Sequence, residues 1–165
     1  IIEEKLIKSE LDIGFVEGDI TSNALVVKPV LEDELTVLCS CQHRFYGKRS
    51  VFLHELEGES FILREEGSGT RAKLESILRE NHITYQPQWD CYSFEAIKEA
   101  VLHNLGITVM SPKVAKRELL SGELWACNIE DVSLKRTFDL VCRKGKFFNE
   151  TLSRFVEICE NKRHF

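Results

Sequence analysis

No apolar run in this sequence approaches the roughly 20 residues needed to cross a bilayer as a helix. The longest, such as 105–110, have the length of buried strands, and no membrane partner is expected. The N-terminal stretch lacks a cationic region leading into an apolar one, so no secretory leader is read and a cytoplasmic location is expected. Positive charge is not in excess either: 22 Lys and Arg stand against 27 Asp and Glu, a net charge of -5. A domain whose task is to grip phosphate backbones presents a basic face. Here the basic residues are scattered among more numerous acids, and Arg44, Lys48 and Arg49 form too short a cluster, read as a solvated loop. Contact with DNA would have to fall to another segment.

None of the six cysteines, at 39, 41, 91, 127, 142 and 159, forms a Cys-x-x-Cys pair. Cys39 and Cys41 sit two apart on an expected strand and would share a face. Cys127 and Cys142 lie in apolar, strand-like runs, where a free thiol acts as a small hydrophobe. Reduced core cysteines are the reading, with Cys91 set apart by its nearness to a helix start. Catalytic sets are missing as well. His43, His54, His82, His103 and His164 are dispersed, and Gly67-Ser68-Gly69 has the serine of a nucleophile elbow without its spacing. No histidine pair or carboxylate cluster reads as a metal site, and Glu32-Asp33-Glu34 reads as a solvated turn. The chain is therefore expected to be no enzyme and to need no metal or cofactor.

With 43% apolar and 30% charged residues, the 165-residue chain can build one ordinary core or two small lobes. Periodicity predicts helices over 1–9, 51–56, 71–81, 93 onward, 111–120 and 149–161. It predicts strands over 11–16 (stopped at Glu17-Gly18-Asp19), 24–30, 34–40, 60–63, 85–89, 105–110, 124–129 and 136–143. Strands and helices alternate through the middle, the pattern of βαβ units and a largely parallel sheet. Ala96, Ile97, Ala100 and Val101 form a buried stripe of one helix, with Glu95, Lys98 and Glu99 facing water.

The most specific local feature runs from a strand through Arg64-Glu65-Glu66-Gly67-Ser68-Gly69-Thr70-Arg71 into a helix. Glycines permit a tight turn and close approach of a ligand, Thr70 is placed to cap, and Ser68 adds a second hydroxyl. A helix N-terminus with hydroxyls suits a carboxylate or a sulfur oxyanion, although a plain capped helix fits the pattern too. Ser93 is placed to cap the next helix, and Phe94 serves either as a pocket wall or as a core contact. Glu17 ends the first strand, where open α/β sheets bind ligands, or is simply solvated.

In their order, Leu11–Val16, Leu25–Val30, Glu34–Ser40, Phe61–Arg71 and Glu95–Ser111 resemble the effector-binding domain of LysR-type transcriptional regulators. The resemblance runs over almost the whole chain. It implies an α/β, two-lobed fold of the type 2 periplasmic-binding-protein kind, with lobe I at about 1–37 and 139–165 and lobe II at 38–138. It also implies an effector held in an interlobe cleft by Gly69, Thr70 and Arg71, with Arg64 and Ser68 beside them, by Ser93 and Phe94, and by Glu17. Lobe I is expected to be incomplete at its N-terminus. The DNA-binding head, the linker helix and the first strand and helix of lobe I would lie upstream of Ile1. Small-molecule sensing, a homodimer or higher homo-oligomer, and DNA contact only through the missing N-terminal domain follow as expectations. The second-lobe loop further resembles the branch that controls sulfur assimilation. A solute-binding protein of a transporter is the alternative.

Overall fold

The structure is a computed structural model that describes residues 2–18 and 20–161, so Ile1, Asp19 and His164 lie outside the described residues. Cα packing divides the chain into two units, Glu34–Leu134 and the pair of segments Ile1–Asp33 and Lys135–Phe165.

The Glu34–Leu134 unit begins with β3 (Thr36–Ser40) and β4 (Ser50–Val51), β1 and β2 belonging to the other unit. It continues with β5 (Ser60–Arg64), α2 (Gly69–Glu80), β6 (Gln86–Cys91), α3 (Phe94–Leu102), β7 (Thr108–Met110), α4 (Lys116–Ser121) and β8 (Leu124–Ile129). Strands β4, β8, β3 and β7 form one sheet, and β5 and β6 pair in parallel. Ile107 joins the two sets by a parallel bridge to Phe61: the Ile62 N–H donates to the Ile107 carbonyl at 2.9 Å and the Ile107 N–H to the Ser60 carbonyl at 2.8 Å. Because β3 is antiparallel to both β7 and β8 while β4 is parallel to β8, only β3 runs against the rest. The largely parallel sheet expected of the alternating pattern is thus present here with one reversed strand.

Alternation along β5 sends Phe61 and Leu63 to one face and Ile62 to the other. Phe61 and Leu63 join Leu74 and Leu78 of α2, whereas Ile62 joins Ile97, Ala100 and Val101 of α3 and Ala115 before α4. The central strand therefore feeds two cores, and burial of each of the Phe, Leu, Ile and Val side chains contributes about 1.5–3 kcal/mol. Lys98 is a correction to the water-facing side of α3. It is 5% exposed and pairs with Glu118 of α4 at 3.1 Å and with Glu95 at 2.9 Å. The predicted 51–56 helix is β4 followed by a 3-10 turn at Leu53–Leu56. Cys41 also departs from expectation: it is exposed in the turn after β3, while Cys39 is buried on the strand. Arg44 and Lys48 pair with Glu59 and Glu55 at 2.7 Å each, and both cations lie over the buried Phe45 ring.

The second unit holds α1 (Ile2–Ile7), β1 (Ile13–Glu17), β2 (Leu25–Glu34), β9 (Lys135–Arg143) and α5 (Glu150–Asn161). Its sheet order is β1-β9-β2, with β1 antiparallel to β9, so no parallel pairing is formed between β1 and its neighbour. Leu6 of α1 is fully buried with Leu25 and Val141. Gly14 lets α1 lie close on β1, since a Cβ there would meet the Ile2 side chain at 2.8 Å. On α5, Phe155 meets Phe15 edge-on at 6.2 Å.

Two outcomes follow from this packing. A Cβ on Gly106 would stand 2.5 Å from the Ser60 carbonyl oxygen, an atom of the backbone that joins β7 to β5. Gly106→Ala is expected to cost about 2 kcal/mol, read as a lower urea midpoint at unchanged slope. Glu118→Ala removes one of the two carboxylates that answer Lys98, leaves it only the largely exposed Glu95, and is expected to cost about 2 kcal/mol. The Glu118 carboxyl is held below the usual carboxylate range by its own backbone N–H and, against the effect of burial, by Lys98. A depressed folded value means that this stabilisation is complete above the ordinary carboxylate range and is lost as pH falls through the lowered value. Urea midpoints across an acid pH series should show Glu118→Gln with less of that loss than the parent chain.

Candidate functional site

Strands β7, β5 and β6 run parallel and side by side, so Met110, Arg64 and Cys91 share one end of the sheet. From the end of β5 the chain leaves to α2 on one face. From β6 and β7 it leaves to α3 and to the segment before α4 on the other face. Between β5 and β7 the connections thus part to opposite sides, the switch point beyond the carboxyl ends where open α/β sheets bind ligands.

On the β5 side, Gly67 takes a left-handed backbone (φ 86°) that favours glycine, and a Cβ there would meet nothing within 4 Å. Ser68, not Thr70, is the residue that caps α2. It has extended backbone, its carbonyl accepts from the Ala72 N–H at 2.9 Å, and its side chain makes no capping bond. The helix therefore starts at Gly69, two residues before the predicted start, and Thr70 lies within its first turn. Ser68 and Thr70 are 8% and 7% exposed, and Gly69 is open to solvent. Arg71 points into a network of its own, donating to Glu75 at 2.8 Å, to the Arg64 carbonyl at 3.2 Å and to Asp90 at 3.4 Å. Burial opposes ionisation of Glu75, but bonds from Arg71 and Tyr85 outweigh it and hold the carboxyl below its usual range.

On the opposite face, Ser93 caps α3 as expected, its hydroxyl oxygen accepting from the Ala96 N–H at 3.3 Å. Phe94 packs against the α3 core and carries the Arg64 guanidinium 4.1 Å above its ring. The two options for Phe94, core contact and pocket wall, thus meet in one side chain. Arg64 is also gripped by Glu65 through two bonds of 2.7 Å, and this pairing holds the Glu65 carboxyl below its usual range. Cys91 accepts from the Ser93 N–H at 3.3 Å through its sulfur. Burial pushes the thiols of Cys39 and Cys127 up to about 12 and about 11, so both stay protonated in their core.

The structure thus brings Arg64, Ser68, Gly69, Thr70, Arg71, Ser93 and Phe94 to one end of one unit. Glu17 belongs to the other unit, at the end of β1, where it pairs with Arg136 at 3.0 Å, and Arg136 also holds Asp33 at 2.7 Å. Glu17 is therefore neither simply solvated nor unengaged. Sequence reasoning passed over Glu65, Ser111 and Thr36 as site residues. Ser111 follows β7 and accepts from the Lys113 N–H at 3.3 Å. Thr36 lies beside Met110 in register, is 6% exposed, and its hydroxyl oxygen has no hydrogen-bond partner. Only strand pairing reveals Thr36, because a threonine within an apolar strand carries no local signal. Among the described residues no group of three or more His, Cys, Asp or Glu is placed to hold a metal ion, and no helix is long and apolar enough to cross a membrane.

A family model described as the LysR substrate binding domain matches residues 2–163. The HTH-type transcriptional regulator CysL of Bacillus subtilis is 31% identical over 140 residues, covering 85% of this chain and 47% of CysL. The Synechocystis CcmR regulatory domain, solved in complex with 2-PG, superposes with a TM-score of 0.85 at 26% identity, over 97% of this chain and 77% of that one. The effector-binding domain of QuiR, solved with shikimate, shares the fold at a TM-score of 0.79 and 19% identity, over 97% of this chain and 75% of that one. The chain spans about half the length of the curated relatives it matches. The matched relatives are transcriptional regulators, not enzymes, and the transporter alternative is not favoured. The chain belongs to the LysR substrate-binding domain family, with its type 2 periplasmic-binding-protein-like fold, and is the effector-binding domain of a LysR-type regulator.

Proposed function

We propose that the carboxyl ends of β5, β6 and β7 form the effector site, and that a small anionic molecule is taken there by Ser68, Gly69, Thr70, Arg71, Ser93 and Phe94, with Arg64 between them. The observation that carries this is the convergence of two helix starts, α2 and α3, on opposite faces beside the switch point, bridged by Arg64 over Phe94. Helix N-termini carry unsatisfied N–H groups and partial positive charge, and the hydroxyls of this set add donors and acceptors of hydrogen bonds. That the matched relatives are transcriptional regulators supports a receptor without enzymatic activity. The relation to CcmR, whose regulatory domain is in complex with 2-PG, supports a small ligand for this chain. A carboxylate and a sulfur oxyanion both suit the donors, and the resemblance of the second-lobe loop to the sulfur-assimilation branch is what favours the latter.

The two units are read as the two effector-binding lobes, at about 38–138 and at 1–37 with 139–165. Glu17, held by Arg136, is the effector contact proposed on the latter. Effector binding shifts a population between two arrangements of the domain. That change would be passed to a DNA-binding segment outside this chain, as the helix-turn-helix names of the longer relatives support. Self-association as a homodimer or higher homo-oligomer, a cytoplasmic location and the absence of a membrane partner complete the proposal.

A thermal-shift screen with small carboxylates and sulfur oxyanions tests it. At least one should raise the melting temperature, and Thr70→Val should weaken that ligand by about 1 kcal/mol, a factor of about five, through loss of a hydroxyl at a nearly buried position. Calorimetry with unchanged affinity in Thr70→Val would remove Thr70 from the site. A screen without any stabilising anion would sink the proposal.

A further inference from the structure

We propose that Glu65 is a resident stand-in for the effector's own acid group, and that the effector carries a carboxylate which Arg64 grips above the Phe94 ring. This rests on the reading of the β5, β6 and β7 carboxyl ends as the effector site, and it selects between the two anion classes left open there.

The grip itself is the first observation. Arg64 donates from Nε to Glu65 Oε2 and from Nη2 to Glu65 Oε1, both at 2.7 Å. Two parallel charge-assisted bonds are the geometry in which a guanidinium takes an external carboxylate. The side chains are 16% and 15% exposed, so the pair is only partly screened by water.

The pair also ties nothing together. Arg64 is the last residue of β5 and Glu65 is the next residue along the chain. An ion pair between chain neighbours cannot hold one element against another, so the Glu65 carboxylate is free to leave without unpacking a helix or strand. Arg64 keeps its place without it, because Cζ stays 4.1 Å above the Phe94 ring, itself packed on the α3 core. The other cation at this end of the sheet differs on each point. Arg71 is bound to Glu75, to Asp90 and to the Arg64 carbonyl, and Glu75 is further held by Tyr85. Displacing those partners would loosen α2 from β5 and β6. Arg64 is therefore the exchangeable cation, while Arg71 borders the effector without releasing its own partners.

What occupies the seat defines its shape. The carboxylate of Glu65 satisfies two donors of the fork with two coplanar oxygens, and an effector carboxylate reproduces both bonds. A tetrahedral oxyanion can span the same fork, but it carries further charged oxygens out of that plane, and on the Phe94 side of the fork the ring leaves them unmet. Binding is then an exchange of one carboxylate for another, which makes Glu65 a competitor that sets affinity and selects the class of acid.

The test uses the parent chain, Glu65→Gln and Arg64→Lys, titrated calorimetrically with acetate, oxalate, succinate and benzoate, and with sulfate and thiosulfate. Glutamine is a weaker partner for Arg64, so Glu65→Gln should tighten the best carboxylate by about tenfold. Lysine keeps the charge but loses the fork, so Arg64→Lys should weaken the same ligand by about tenfold. The sulfur oxyanions should shift by no more than about twofold in either variant, within the context spread of single interactions. Urea midpoints of the unliganded variants should match the parent, which separates lost contacts from lost folding. A parent chain that binds a carboxylate with an affinity indifferent to both substitutions would overturn this inference and leave the effector site standing. Tightening by Glu65→Gln that appears for sulfate instead of the carboxylates would also overturn it. If none of the six probes binds the parent, the effector reading falls and this inference falls with it.

Discussion

The constraint on which the larger unit depends is that β5 is hydrogen-bonded along both edges, to β6 on one side and to the β7 segment on the other. Its side chains must then alternate into two cores, Phe61 and Leu63 beneath α2 and Ile62 beneath α3. That double burial explains why the two helices lie on opposite faces, and why their starts flank the carboxyl end of one strand. The close seam at Gly106 and Ser60 belongs to the same constraint, since the β7 segment reaches β5 only where no side chain stands between the two backbones. The position of Arg64 over Phe94 follows from alternation, because residue 64 points to the same face as residue 62 and so toward α3.

Several charges of the described residues are answered by one another. Lys98 meets Glu118 inside the α3–α4 contact, Arg71 meets Glu75 and Asp90, Arg136 meets Glu17 and Asp33, and Arg64 meets Glu65. Three of these sets fasten parts of the chain that are distant in sequence or on different elements, and the fourth joins neighbours. Buried pairs of the first kind are costly to break, since removing one partner leaves a charge without solvent. The proposed effector site is made from helix N-termini, hydroxyls and the one pair between neighbours, groups suited to recognising a guest by geometry. Burial likewise suppresses ionisation of the Cys39 and Cys127 thiols in their core.

Particular elements show how far local pattern reaches. The helices at α2, α3 and α5 are legible because apolar residues recur at helical spacing, and Ser93 was legible as a cap because capping is a bond within four residues. The start of α2 was misplaced by two residues, since Ser68, Gly69 and Thr70 all suit a helix start and only the packed turn, with Gly67 left-handed, chooses among them. Lys98 was assigned to water for a comparable reason. A lysine at a helix position one turn from acids resembles a solvated ladder, and its burial depends on Glu118, 20 residues away, arriving on α4.

The sequence by itself determined the class of molecule: alternating strands and helices, a family resemblance carried by motifs in order, and a glycine-hydroxyl turn at a helix start. These are properties of local bonding, hydrophobic period and motif order, which need no partner from elsewhere in the chain. Only the tertiary structure decided that β3 runs against its neighbours, that Thr36 comes to rest beside Met110, that Glu17 is held by Arg136, and that Arg64 lies between Glu65 and Phe94. The first depends on which distant strands pair, and the others on strand register or on which face a side chain takes. A shift of one residue reverses that choice, and burial against distant parts of the chain is what prevents the shift.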